Sequence, residues 1–371
     1  MTPRACAECL RRTRLLGLLA PYIEKIATSR GGTRSPQLLG MPSADLVERA
    51  APNDGERLLA EVAALSEAQL RGEIERAECW AVCRHDERYP PGLAEGPEPP
   101  ATLICRGEAS HLGALDPGMC VTIVGARRCS AYGREIAIDL GRELAASGLT
   151  VISGMAQGID GAVHAGALRG GRTVAVLGCA AERPYPARHR ALYRQICRSG
   201  LVMSELPPGT SPWRWAFPAR NRLMAAMAEM TVVVEAALGS GSLITTELAQ
   251  EAGRNVGAVP GQVTSPMAAG TNELLHSGAH VIRGAVDVLD CVLGPGAAAL
   301  PAGGPALEDG LDAMLAACEE HGPSADAVAG ALEISAAEAA AGLARLELVG
   351  YLRASAVGTY VRTPLARPVD P

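Results

Sequence analysis

The chain has few aromatic residues and almost no lysine. Only 3% of its 371 residues are aromatic, Phe217 is its single phenylalanine, and Lys25 is its single lysine. An apolar fraction of 48% still allows a sizeable core, which must be built mainly from Ala, Val and Leu. Arginine therefore carries nearly all of the positive charge, and any aromatic stacking surface must come from a handful of side chains.

Long hydrophobic runs are also missing. No stretch of about 18 uncharged apolar residues occurs, so the sequence predicts no membrane span. The amino-terminal arginines precede only a short LLGLLA, which lacks the length and the cleavage site of a secretory signal. The eleven cysteines are scattered singly through apolar segments, which favours reduced thiols in a cytoplasmic protein over a disulfide framework.

The cysteine spacing gives little support for a metal. Cys6 and Cys9 form one CxxC pair, whereas Cys79 and Cys83 lie far along the chain at a different spacing. These four thiols could make a zinc site, but such mismatched pairs are not typical of one. We therefore assign no metal site from the sequence.

Catalytic motifs are absent as well. The chain has no Walker A loop, GxSxG elbow, HExxH helix or carboxylate pair with metal spacing. Glu205 and Glu235 end predicted strands, and we interpret both as partners of nearby arginines. His164 is predicted to be a packed helix residue, not a catalytic base. The sequence thus indicates a protein without catalytic residues and without a cofactor.

From residue 121 onward, apolar runs alternate with helical segments. The predicted strands are 121–126, 150–155, 173–178, 201–206, 231–236, 256–261 and 280–284. The predicted helices between them are 131–147, 160–169, 188–199, 219–229 and 243–253. This alternation predicts an α/β fold of the extended Rossmann-like type, with a doubly wound, mostly parallel sheet. Ligands of such sheets bind beyond the carboxyl ends of the strands.

The chain divides into four predicted parts. Residues 1–78 form a small helical domain with Ser43 as a helix N-cap. The α/β domain covers 79–293 and begins with a Pro-rich connector and a short strand, and 294–305 are a Gly/Pro/Ala linker. Residues 306–371 suggest three helices and a hairpin, the outline of a winged helix. Its few basic residues favour protein contact or tethering over DNA reading.

Positive charge and aromatic rings concentrate in residues 183–222. This stretch has eight arginines and one acid, Glu205, inside a chain of formal net charge −6, and it holds five of the eleven aromatic residues. Arginines interleaved with aromatics provide charge for phosphates and faces for bases, as single-stranded nucleic acid requires. We expect its Pro-rich loop to expose Trp213, Trp215 and Phe217. The alternative is that arginine is simply this chain's default cation.

Two further loops at strand ends suit an anion. Arg127 and Ser130 lie between the first long strand and its helix, and Ser240, Gly241 and Ser242 open a later helix. Helix N-termini offer backbone N–H groups and a positive dipole end to a phosphate. Both loops therefore donate hydrogen bonds at the edge where we expect the ligand.

A glycine-containing loop follows the second strand of this series. In SGMAQGID, Gly154 and Gly158 permit a tight turn, and Asp160 is a candidate cap for the next helix. The third loop turns at Tyr185-Pro186 and begins the basic stretch. Five such loops, all at predicted strand ends, together indicate one binding edge.

These loops, in this order, resemble the DNA-processing protein A (DprA) family of bacteria. The motifs that carry the resemblance are VGARRCSAYG (124–133), SGMAQGID (153–160), AVLGCAAERPYP (175–186), SELPPG (204–209), FPARNRLMAAM (217–227), VVEAALGSGSLITTELA (233–249), GRNVGAVPG (253–261) and GTNELLHSGAHVI (270–282). The resemblance is dense over about 120–290 and looser at both ends of the chain.

The resemblance implies a cytoplasmic homodimer that binds single-stranded DNA and helps to load the recombinase RecA during natural transformation. It places the DNA pocket on Arg127, Arg214, Phe217, Arg220, Asn221, Arg222, Ser240, Gly241 and Ser242. With the loop residues chosen above, Ser130, Gly154 and Gly158 complete the candidate DNA site.

Two other functions remain open at this stage. A nucleotide-processing enzyme of the phosphoribohydrolase type would have a related fold, but its PGGxGTxxE run is replaced here by LGSGSLITTE. A DNA-binding regulator could act through the carboxy-terminal helices, although their shortage of basic residues counts against it.

Overall fold

Short apolar segments pair into one nine-stranded sheet in the computed structural model, which describes residues 4–27, 35–296, 307–354 and 358–362. Its strands are β1 (Trp80–Cys83), β2 (Thr102–Gly107), β3 (Cys120–Val124), β4 (Thr150–Ser153), β5 (Thr173–Val176), β6 (Leu201–Ser204), β7 (Met230–Val233), β8 (Asn255–Ala258) and β9 (His280–Val281). The spatial order is β1-β2-β6-β5-β4-β3-β7-β8-β9. Strands β3 to β9 are parallel to one another, and β2 and β1 extend the sheet in antiparallel fashion.

Helices connect and cover these strands. They are α1 (Ala7–Ala27), α2 (Ser35–Gly40), α3 (Ser43–Ala50), α4 (Gly55–Ala63), α5 (Glu67–Arg76), α6 (Pro91–Glu95), α7 (Ala131–Ala146), α8 (Ile159–Gly170), α9 (Arg190–Ser199), α10 (Ala216–Met227), α11 (Gly241–Glu251), α12 (Ala269–His276) and α13 (Ala285–Leu293). Short 3-10 helices cover Ala109–Ala114, Pro117–Met119 and Ala187–His189.

The predicted mixed α/β fold with its doubly wound, mostly parallel sheet is confirmed. Strands β3 to β8 are buried throughout or nearly so, which explains their near-continuous apolar sequences. Most are four residues long, shorter than predicted, because the turn after each strand begins before the apolar run ends. The sequence does not predict β1, since four residues are too few to show a two-residue alternation within the Pro-rich connector.

The amino-terminal helices pack onto the sheet unit. Leu15, Leu16 and Leu19 of α1 belong to one buried cluster with Leu206 and Trp215 from the loop before α10. The described residues between 4 and 145, together with 149–295, accordingly form one compact unit. The helical region that the sequence separates as a domain thus shares its core with the α/β region.

The predicted N-cap at Ser43 is wrong. Helix α3 begins at Ser43 itself, its N-cap is Pro42, and no side chain caps it. The Ser43 hydroxyl accepts a hydrogen bond from Arg12 Nη1 at 3.2 Å instead. A long-range donor therefore replaces the local backbone partner that the pattern suggested.

The second unit, formed by 146–148 and the described residues from 296 to 362, has its own core. It contains α14 (Asp309–His321), α15 (Ala325–Leu332) and α16 (Ala336–Leu348), followed by the antiparallel pair β10 (Leu352–Ala354) and β11 (Tyr360–Arg362). The three predicted helices and the hairpin are present. The winged-helix interpretation stays a prediction, and most of the predicted linker at 294–305 lies outside the described residues.

Within the described ranges, no single helix is long and apolar enough to cross a membrane. The helices α15 and α16 meet at a bend of 115°, and only the two together have the length and apolar composition of a membrane span.

Candidate nucleic-acid interface

A cavity opens where the chain reverses its direction across the sheet. From β3 the chain adds β4, β5 and β6 on one side, then crosses over to add β7, β8 and β9 on the other. The loops after the neighbouring strands β3 and β7 therefore diverge, as at other switch points of doubly wound sheets. Between them lies a cavity of about 450 Å³ at the carboxyl edge.

The loop after β3, the first turns of α10, and the loop after β7 with the start of α11 form most of its walls. The candidate site residues that line it are Arg127, Phe217, Arg220, Asn221, Ser240, Gly241 and Ser242. Arg128 joins them, a residue that the sequence interpretation passed over although it is adjacent to Arg127. Among the described lining residues, Asp160 carries the only carboxylate. Three guanidinium groups against one carboxylate make the cavity cationic.

Arg127 and Phe217 lie against each other at the mouth. Arg127 Cζ is 5.7 Å from the centre of the Phe217 ring, within the range of a cation–π contact. The Tyr185 ring lies 5.5 Å from the Phe217 ring, tilted by 37°, and Tyr185 is 40% exposed. An exposed guanidinium, the exposed Tyr185 ring and the half-buried Phe217 ring thus lie together on one surface.

Arg220 forms part of the floor and is nearly inaccessible. It is 7% exposed, its Nη1 donates to the Val176 carbonyl, and its Nε donates to Asn221 Oδ1 at 3.2 Å. Burial lowers the pKa of Arg220 to about 10, against the opposing influence of the Asp160 charge. Arg220 therefore remains a cation at neutral pH and contributes charge more than exposed surface.

The two candidate glycines support the cavity without lining it. A Cβ at Gly154 would lie 2.2 Å from Arg220 Nη1. Gly158 has a φ of +79°, and a Cβ there would lie 2.2 Å from the Ala126 carbonyl oxygen. Both positions need glycine because other groups pass so close. The predicted capping role of Asp160 is wrong: α8 has Gly158 as N-cap, and Asp160 accepts from the Ala156 N–H at 3.2 Å.

The amino terminus of α11 faces the cavity. Ser240 is its N-cap and accepts a hydrogen bond from the Ser242 N–H at 3.4 Å, and the two hydroxyls lie 2.8 Å apart. Asn221 Nδ2 donates to the Gly241 carbonyl at 3.4 Å, which ties α10 to this helix start. The positive end of a helix dipole and small hydroxyl side chains form a suitable wall for a phosphate.

The remaining candidates do not line this cavity. Ser130 donates to Glu235 through its backbone N–H at 2.8 Å and its hydroxyl at 2.5 Å. The arginine partner predicted for Glu235 is therefore wrong, because a serine at the α7 start satisfies this carboxylate. The partner predicted for Glu205 is confirmed, since Arg222 Nη2 lies 2.7 Å away. Arg214 is exposed outside the lining.

The basic stretch separates into exposed and buried members. The exposed arginines are Arg183, Arg188, Arg190, Arg194, Arg198 and Arg214. Those on α9 recur every four residues, so they share one helix face beside a second cavity of about 470 Å³. The expected exposure of Trp215 is wrong: it is 2% exposed, and its Nε1 donates to the Ala20 carbonyl at 3.0 Å. Trp213 is half-buried.

Known proteins match this sequence and this fold. Residues 80–293 match the family described as DNA recombination-mediator protein A. Among curated proteins, the putative DNA processing protein DprA of Mycobacterium tuberculosis is 47% identical over 171 residues, or 46% of this chain and 44% of that protein. The DprA of Streptococcus pneumoniae is 35% identical over 226 residues, or 61% of this chain and 78% of that protein. The match thus spans less than half of the mycobacterial protein's length.

Solved structures agree with the sequence relatives. The crystal structure of DprA from Streptococcus pneumoniae superposes with a TM-score of 0.60 and 29% identity, covering 76% of this chain and 95% of that one. The DprA of Helicobacter pylori, studied for its single-stranded DNA binding mode, gives a TM-score of 0.51 and 31% identity, with coverages of 55% and 92%.

Proposed function

The chain belongs to the DNA recombination-mediator protein A family, and we propose that it binds single-stranded DNA without strong sequence preference at the cavity between β3 and β7. The observation that carries this proposal is the contact of Arg127 with the Phe217 ring beside the α11 amino terminus. A phosphate would bind to the guanidinium and the helix start, and a base would stack on the ring. Every base has a π face, so such a site tolerates sequence.

A longer binding path is part of the proposal. The arginines of α9, Arg190, Arg194 and Arg198, are exposed along one helix face. Helix α9 follows the loop that carries Tyr185, whose ring contacts Phe217. We infer that a strand leaving the cavity over Tyr185 continues along this basic face, with phosphates held by arginine and no reading of base edges.

The wider role follows from the family. We infer that the protein mediates recombination by helping to load RecA on single-stranded DNA, that it acts in the cytoplasm, and that it works as a homodimer during natural transformation. We also infer that it is not an enzyme. Asp160, the one carboxylate among the described lining residues, is buried and accepts from the Ala156 backbone, which leaves it badly placed as an acid or base.

Fluorescence anisotropy tests the binding proposal. A labelled oligo-dT and a duplex of equal length are titrated at two salt concentrations with the wild-type chain, Arg127→Ala and the control Arg169→Ala. Arg169 is exposed at the end of α8, whose start lies at the carboxyl edge, so it lies at the opposite edge. We expect salt-sensitive preference for the single strand, weakened by Arg127→Ala alone. Equal binding of duplex and single strand would contradict the proposal.

The loading role needs its own assay. RecA-dependent ATP hydrolysis is followed on oligonucleotides already covered by a single-strand-binding protein, with and without this chain. If the chain loads RecA, the wild type should shorten the lag before ATP hydrolysis begins, and Arg127→Ala should shorten it less. Normal DNA binding with no change in the lag would remove the RecA part of the proposal and leave the DNA site intact.

A further inference from the structure

Three thiols and one imidazole meet at the start of the described chain, away from the nucleic-acid cavity. Cys6 and Cys9 lie at the beginning of α1, and Cys83 and His85 lie at the end of β1 and in the following turn. Their four ligand atoms are all within 4.8 Å of one another. We propose that these residues form a structural zinc site with a Cys₃His ligand set.

The distances fit tetrahedral zinc. The sulfurs of Cys6 and Cys9 each lie 3.5 Å from His85 Nδ1. With Zn–S of about 2.3 Å and Zn–N of about 2.0–2.1 Å, two ligands at the tetrahedral angle are about 3.5–3.6 Å apart. Both sulfur–nitrogen distances therefore match the spacing that the ion requires, and three thiolates with one imidazole are a set that zinc commonly takes.

The surroundings favour thiolate ligands. The backbone N–H of Cys6 donates to Cys83 Sγ at 3.4 Å, a contact of the kind that orients metal-bound sulfur. Cys6 directly precedes α1, and Cys9 lies in its first turn, so both sulfurs lie near the positive end of that helix. With four protein ligands the site has no open position, which is typical of structural and not of catalytic zinc.

Other contacts hold the ligand segments in place. The Arg4 N–H donates to Asp86 Oδ2 at 2.9 Å and joins the two segments, and Arg71 Nη2 of α5 donates to the Ala5 carbonyl at 2.6 Å. Cys9 and Cys83 are buried, whereas His85 is exposed, so an ion can enter from the His85 side. An ion here would tie the start of α1 to the antiparallel edge of the sheet, across more than seventy residues of sequence.

The ligand set differs from the one that spacing suggested. Cys79 is buried and its thiol donates to the Ala77 carbonyl at 3.4 Å, outside the cluster. His85 takes its place, two residues beyond Cys83. Cys79 precedes β1 and Cys83 ends it, so the two thiols lie at opposite ends of this extended strand. The turn after β1 brings His85, and not Cys79, to the sulfurs of Cys6 and Cys9.

Metal analysis of the full chain tests the site. Protein purified in reducing buffer is incubated with Zn²⁺, passed over a desalting column, and its zinc content is measured per chain. The variants are Cys6→Ala, Cys83→Ala and His85→Ala, with Cys79→Ala as the matched control. His85 is exposed, so its removal leaves the core undisturbed and keeps the test valid if a cysteine variant fails to fold.

We expect about one zinc per chain in the wild type and in Cys79→Ala, and a large loss of zinc in the other three variants. Replacing Zn²⁺ by Co²⁺ should give the thiolate charge-transfer band of a tetrahedral site, which His85→Ala alters. Wild-type protein that retains no zinc, or His85→Ala and Cys83→Ala proteins that retain it fully, would overturn the proposal. Zinc lost from Cys79→Ala as well would overturn the ligand set.

Discussion

Arg222 and Glu205 form an ion pair inside the protein, with Nη2 and Oε1 2.7 Å apart and side chains only 4% and 7% exposed. Arg220, two residues earlier on α10, lines the cavity. Two residues turn a helix by about 200°, so adjacent arginines of one motif must face opposite sides. The motif FPARNR thus contains one arginine that contributes to the cavity and one that stabilises the fold beneath it.

Arg222→Ala should therefore act on stability. Removing one partner leaves Glu205 buried without its cation, at a cost of about 3–5 kcal/mol. Urea unfolding followed by circular dichroism measures this loss. The double variant Arg222→Met with Glu205→Leu should lose much less, because it leaves no unpaired charge. An Arg222→Ala protein of wild-type stability that loses DNA affinity would contradict this assignment.

Arg127→Ala should weaken single-stranded DNA binding equally for all sequences. One lost phosphate contact lowers the slope of log K against log salt by about 0.7 for a single strand. Anisotropy titrations at four salt concentrations give this slope. The control Arg169→Ala should keep the wild-type slope, and an unchanged slope in Arg127→Ala would remove Arg127 from the phosphate contacts.

Phe217→Leu should separate stacking from packing. Leucine keeps an apolar side chain beside Tyr185 but has no π face, so affinity should fall by about 1–3 kcal/mol if a base stacks there. The affinity for oligo-dT is compared with that of Phe217→Ala, which should lose a similar amount of binding but more stability. Wild-type affinity in Phe217→Leu would exclude base stacking at this ring.

Sequence patterns were sufficient for the sheet and for the strand-end loops that line the cavity, because alternating apolar runs and glycine- or serine-rich loops are local signals. They could not separate Arg220 from Arg222, since both are arginines in a basic stretch and only the packing of α10 distinguishes them. Trp215 shows the same limit. Its loop has the prolines of an exposed segment, but α1 arrives from nearly two hundred residues earlier and covers it.

Gly158→Ala should disturb the Arg127 loop. Gly209 provides the control, because its φ of +82° is also positive but nothing lies within 4 Å of a Cβ there. Both variants should lose at least about 1–2 kcal/mol, because an alanine disfavours a positive φ. Gly158→Ala should lose more, and should bind DNA less tightly, because its Cβ meets the Ala126 and Arg127 carbonyls. Identical unfolding and binding in the two variants would contradict this role.

His164 should make the fold sensitive to acid. As predicted for a packed helix residue, it is fully buried, and its Nδ1 lies 2.8 Å from the Thr173 hydroxyl. Burial lowers its pKa to about 3, with smaller contributions from His189 and Arg220. The unfolded histidine titrates near 6.5, so below that pH the unfolded chain binds a proton that the folded chain does not. Stability is therefore retained above pH 6.5 and lost below it, by about 1.4 kcal/mol per pH unit.

Urea unfolding of the wild type and of His164→Gln is measured at about half-unit steps from about pH 7.5 to about pH 4.5. The difference between their stabilities should shrink steadily as the pH falls, because only the wild type loses the histidine contribution. A difference that is constant across this range would show that His164 is not the acid-sensitive group.

The zinc ligands show where sequence spacing is informative and where it is not. The CxxC pair at Cys6 and Cys9 marks half of the cluster, since two residues only three apart at the start of a helix lie close together. The other half depends on the turn after β1, and a histidine two residues from a cysteine has no specific pattern. Only the fold, which places β1 beside the start of α1, brings His85 to the sulfurs.

The most direct test of the account is photo-crosslinking of the full chain to an oligo-dT that contains a single 5-iodo-deoxyuridine, followed by peptide mass spectrometry. Base stacking at the cavity predicts crosslinks to Phe217 or Tyr185, reduced in Phe217→Leu and competed by unlabelled single strand but not by duplex. Crosslinks confined to the carboxy-terminal unit, with none on these two rings, would contradict the proposed DNA site.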